Sequence, residues 1–244
     1  MRFSAALLAC FFIVQAQTGS PALILPPVAA TFDIGGHSVP LTAWGKIFPP
    51  SAGVAGAELT ADLGSLQDNI TEVLRAQLNR SDRCGDRLSV EQAALVPEGP
   101  AAILTAHVHY ERWGCAKAFG KEMVKRLVGG NALVEVGLTP TVRAEGVALE
   151  SEVRRMEADG SLGDALRSDT LGNTMKDRVT HSVESAVQKA SAFGSAMPPG
   201  IAEAVTLRGA RFADGGGRLH IVANADLHIS GEQLEILAKQ VHGN

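Results

Sequence analysis

Histidines spaced two apart are the most chemically suggestive residues in the chain. His107-x-His109 would project from one side of a strand about 7 Å apart, a spacing that metal ligation can use. His220, Asp226 and His228 share a side of another expected strand. Both sets lie opposite the apolar residues of their strands, where solvated histidines belong, so no metal site is read here.

Two glycine-rich stretches invite a phosphate. Asp214-Gly215-Gly216-Gly217 lies between two strand-like segments, with no helix start after it to supply a dipole, and reads as a hairpin turn. In Gly114-Cys115-Ala116-Lys117-Ala118-Phe119-Gly120-Lys121 the glycines stand too far apart for a P-loop, and Glu122 occupies the place of the Ser or Thr that would hold magnesium. The chain has no GxSxG, HExxH or SxxK pattern, and Glu150 and Glu152 read as the outer face of a strand. These residues imply no catalytic constellation and no cofactor.

The N-terminus speaks to compartment. Arg2 precedes an apolar stretch from Phe3 to Val14, and Val14-Gln15-Ala16 fits the small-x-small cleavage rule. Residues 1–16 are therefore expected to be a signal peptide, with the mature chain starting near Gln17 in the periplasm or outside the cell. The stretch is shorter than the roughly 20 residues a membrane-spanning helix needs. Leu7-Leu8-Ala9-Cys10 loosely fits a lipidated cysteine, a reading that would leave Phe11-Phe12-Ile13-Val14 at the mature end. With Cys10 removed, Cys84 and Cys115 remain as a single pair in an oxidising compartment, and a disulfide between them is expected. The formal charge is -4, or -5 without Arg2, which does not favour nucleic acid as a partner.

The elements that would position these residues divide the chain. Residues 17–62 read as a Pro/Gly-rich lead-in with one strand, Thr31 to Leu41. Residues 63–244 read as a single α+β domain. It opens with a helix whose stripe is Leu63, Leu66, Ile70, Val73, Leu74 and Leu78. Four strands follow near 87–96, 101–113, 132–142 and 147–156. Their short connections make an antiparallel meander. In the second, Ala102, Leu104, Ala106, Val108 and Tyr110 face the core. A long helix is expected over 162–190, then a hairpin over 205–212 and 218–229, and a short helix from Ser230 to about Val241.

Between two of those strands, residues 116–128 read as a basic amphipathic helix, with Phe119, Met123, Val124, Leu127 and Val128 apart from Lys117, Lys121, Lys125 and Arg126. Such a helix could touch an anionic membrane surface, or simply cover the core with its lysines solvated.

This order of elements, with a cysteine pair tying the end of the first helix to the sheet, resembles the tubular lipid-binding superfamily, to which the bactericidal/permeability-increasing proteins belong. The resemblance covers roughly Leu63 to Asn244 and rests on element order alone, and no binding residue carries over from it. It implies a long, curved antiparallel sheet around one long helix, with an apolar channel. The chain looks equally like exported α/β proteins of bacteria. The expected function is an exported envelope protein that binds or carries a lipid or other apolar ligand. Its expected lining is Val108 and Tyr110 on the sheet, with Met175, Val179 and Val183 on the long helix. The alternative is a non-catalytic structural or interaction module of the envelope.

Overall fold

The computed structural model describes residues 22–34, 37–51, 53–81, 83–118, 121–143, 146–166 and 205–228. The N-terminal stretch assigned to a signal peptide and the short helix expected from Ser230 lie outside them. Ten strands and two helices form among the described residues, in chain order β1 (Leu23–Ile34), β2 (His37–Ile47), β3 (Ala55–Asp62), α1 (Gly64–Leu78), β4 (Arg80–Ser81), β5 (Gly85–Glu98), β6 (Ala101–Ala118), β7 (Lys121–Arg143), β8 (Gly146–Ala158), α2 (Gly160–Leu166), β9 (Val205–Asp214) and β10 (Leu219–Leu227). They build two five-stranded antiparallel sheets, β1-β2-β3-β10-β9 and β4-β5-β6-β7-β8.

This corrects the expected α+β architecture. The described chain is mainly β, and its helices are short, so no long helix packed on a sheet organises it. Of the helix expected over 162–190, residues 160–166 form α2, and the remainder lies outside the described residues. The helix expected over 116–128 is also corrected, because residues 116–118 form the end of β6 and residues 121–128 the start of β7, with Ala116 opposite Met123. The cause of the misreading is arithmetic. Residues four apart, such as Lys121 and Lys125 or Met123 and Leu127, share a face at both the helical and the strand period.

In the first sheet, three strands occupy residues 23–62, where one was expected. Proline hides them in the sequence. Pro26 and Pro27 lie at a register break of the edge strand β1, where a missing N–H costs little. Pro40 precedes the point at which β3 begins to pair with β2, Thr42 opposite Asp62. The β9–β10 hairpin turns through Gly216 and Gly217, both left-handed (φ 76° and 89°), and Asp214 Oδ1 accepts the Gly217 N–H at 2.6 Å.

The core sits where α1 and both sheets meet. Ile70 and Leu74 of α1, Val90 and Leu95 of β5, Ala102 and Leu104 of β6, Val134, Val136 and Leu138 of β7, Phe212 of β9 and Leu219 of β10 form one buried cluster. Phe212 N–H donates to the Pro100 carbonyl at 2.8 Å, tying the first sheet to the β5–β6 turn. Asp62 Oδ1 accepts the Gly64 N–H at 2.7 Å and starts α1.

Candidate functional site

The expected lining falls partly on described residues. Val108 packs against the main core cluster. Tyr110 lies half-buried on the same side of β6, opposite Leu88 of β5, and its hydroxyl donates to Asp86 Oδ1 at 2.8 Å. Burial, and then the Asp86 carboxylate, push its ionisation up to about 12. Its polar end is therefore already engaged within the protein. Met175, Val179 and Val183 lie outside the described residues.

The opposite side of β6 carries a polar network. His109 Nδ1 and Asn131 Oδ1 are 2.7 Å apart, and Glu111 accepts from Trp113 Nε1 at 2.8 Å and Arg126 Nη1 at 3.1 Å. The Asn131 contact, with Glu111 adding to it, raises the His109 ionisation above its ordinary value, while partial burial opposes them. Trp113, Arg126 and His109 hold the Glu111 carboxyl below its usual range. The Arg87 guanidinium stacks on Trp113 at 4.5 Å. His107 is exposed. It borders an open cleft of about 320 Å³ with Glu91, Val108, Asn131 and Asp159, and this polar wall does not suit an apolar ligand.

The other singled-out residues stay apart. His220 meets Trp44 edge-on with ring centres 5.3 Å apart, and Asp226 accepts from Arg208 Nε at 2.6 Å. His228 is exposed, and Glu150 faces Arg143 at 3.7 Å. Among the described residues no group of three or more His, Cys, Asp or Glu could hold a metal ion.

Cys84 and Cys115 form a disulfide, with Cα atoms 5.7 Å apart. It fastens the bend just before β5 to the far part of β6, at the root of a two-stranded ribbon. Pairing between β5 and β6 starts at Gly85 and Trp113, and β8 pairs with β7 only from Ala132 onward. Beyond those points β6 and β7 pair with each other alone among the described residues. Lys117, Lys125 and Arg126 are exposed on this ribbon, as are Met123 and Leu127.

Sequence periodicity missed one apolar surface. On the inner side of the first sheet, Ile47, Ala55, Ala57 and Ala225 form a second buried cluster, ringed by the half-buried Leu23, Leu25, Val205, Leu207 and Leu227. Every member belongs to β1, β2, β3, β9 or β10, and no described side chain of the second sheet joins it. The alternation Leu23-x-Leu25, Ala55-x-Ala57 and Ala225-x-Leu227 is its sequence trace.

No family model and no curated protein sequence matches the chain. A solved structure of lipopolysaccharide binding protein superposes with a TM-score of 0.39 at 10% identity, over 69% of this chain and 42% of that one. At that level the likeness assigns neither family nor function.

Proposed function

We propose that the protein is exported to the periplasm or secreted, and that it binds or carries a lipid or other apolar ligand. The observation that supports this reading is the second apolar cluster, Ile47, Ala55, Ala57 and Ala225 with leucines and Val205 around them, whose members all come from the first sheet. An acyl chain fits such a face through area burial without directional contacts. Export rests on the N-terminal pattern and on the Cys84–Cys115 disulfide, a bond that oxidising compartments keep. A second lining, Val108 and Tyr110 with Met175, Val179 and Val183, belongs to the same proposal.

Mass spectrometry of lipid extracted from protein purified without detergent is the direct test. Co-purified lipid is expected in the wild type. Ala225→Trp, which tests the second apolar cluster, or Val179→Trp, which tests the second lining, should displace it while the melting temperature changes little. Overpacking a face that is already filled costs about 1–3 kcal/mol instead. Protein that carries no lipid, binds no fluorescent lipid probe and loses stability on Ala225→Trp would leave the non-catalytic module as the reading.

A further inference from the structure

The β6–β7 ribbon combines two properties that seldom meet on a solvated hairpin. Residues 114–128 carry Lys117, Lys121, Lys125 and Arg126 against Glu122 alone, a net charge of +3 in a chain whose total is -4. The rest of the protein is therefore at -7, and the ribbon is a net-positive segment of a net-negative protein. Two of its large apolar side chains, Met123 and Leu127, are each 57% exposed.

The register sorts them by face. Met123 lies opposite Ala116 and Lys125 opposite Gly114, so these four share one side of the ribbon. Leu127 is the extra residue at the register break beside Trp113, and its side chain lies over Gly114, where an added Cβ would come within 3.0 Å of it. That side presents two large apolar groups around a lysine, over the small Gly114 and Ala116. The other side carries Trp113, Cys115 and Lys117. Arg126 is held there by Glu111 at 3.1 Å and is already paired within the protein. The disulfide at Cys115 anchors the ribbon's root, which lowers the ordering cost of docking it.

We infer that this ribbon docks the protein on an anionic lipid surface, Met123 and Leu127 entering the interface while Lys125 beside them meets the phosphates. Charge complementarity selects this occupant: apolar groups beside cationic ones match the layering of acyl chains and headgroups, whereas a soluble polyanion has nothing for Met123 and Leu127 to enter. The inference does not depend on the protein carrying a lipid. Docking and cargo are read by separate measurements.

The test is flotation of the full mature protein with vesicles of phosphatidylcholine, with and without phosphatidylglycerol, at low and raised salt. Wild type should float with the anionic vesicles only, and raised salt should weaken it. Lys125→Ser should weaken binding roughly fivefold. Met123→Ser with Leu127→Ser should weaken it while leaving the salt dependence in place. All three positions are exposed, so unchanged melting temperatures confirm folded variants. Wild type that does not float overturns the inference. So does equal binding to dextran sulfate together with unimpaired flotation of the Met123/Leu127 variant. Extracted lipid content, measured in parallel, reports on cargo alone.

Discussion

Tyr110 donates its hydroxyl to Asp86 at 2.8 Å across the β5–β6 pair, so the polar end of an expected lining residue is tied within the protein. Tyr110 is the single tyrosine of the chain, so tyrosinate absorbance reports on it alone. The midpoint of an alkaline titration should lie near the folded value of about 12, above the ordinary 10.0. A raised ionisation means that the neutral form is the one folding favours. This stabilisation is whole below pH 10.0 and disappears as pH rises toward about 12. Tyr110→Phe should abolish that alkaline loss and cost about 0.5–1.5 kcal/mol at neutral pH. A midpoint at the ordinary value would show that the tie does not form.

His109 offers the corresponding reading near neutrality. Its ionisation is raised chiefly by Asn131, so its proton NMR titration should fall above 6.5. The protonated form is the favoured one, and its stabilisation is complete below pH 6.5 and lost as pH rises through the folded value. Asn131→Ala should return the midpoint toward normal. A midpoint that ignores this substitution would remove the contact from consideration.

The second sheet was largely legible in sequence and the first only in its β9–β10 hairpin, for a physical reason that particular residues make plain. Ala102, Leu104, Val134, Val136 and Leu138 recur at every second position of two strands, and all five are buried. In the first sheet, Pro26, Pro27 and Pro40 mask strands that tolerate them at an edge or beyond a partner's reach. The candidate apolar face gathers short pieces of five strands lying between residues 23 and 227, and alanine is equally at home in core, turn and helix. The tie between Tyr110 and Asp86 depends on the register between two strands, which no single-strand pattern contains.

The disulfide carries a prediction that joins compartment to stability. Mature protein should begin near Gln17 and show no alkylatable thiol until it is reduced, by intact mass. Cys84 and Cys115 close a loop of 31 residues in sequence separation. Cys84→Ala with Cys115→Ala should therefore cost roughly 3–4 kcal/mol in denaturant unfolding. Retention of residues 1–16, or two thiols reactive without reductant, would remove the case for export.

Gly130 is the seat of α2, and its neighbours show why a side chain there is costly. An added Cβ would meet the Asp159 carbonyl at 2.6 Å and Leu162 Cβ at 3.1 Å. The Asp159 backbone is itself fixed to the same strand, its N–H donating to Asn131 O at 3.1 Å while its side-chain Oδ1 accepts the Asn131 N–H at 2.8 Å. Ser161 Oγ closes the contact by accepting the Gly129 N–H at 3.2 Å and donating to the Gly129 carbonyl at 3.1 Å. Neither the strand nor the loop can retreat without breaking these bonds, and Leu162, fully buried, would lose its packing. Gly130→Ala should thus destabilise by about 1–3 kcal/mol in chemical denaturation. Gly209 of β9 is the control, because an added Cβ there meets nothing within 4 Å, and Gly209→Ala should stay within about 0.5 kcal/mol. Equal effects at the two positions would mean that α2 is not seated on β7.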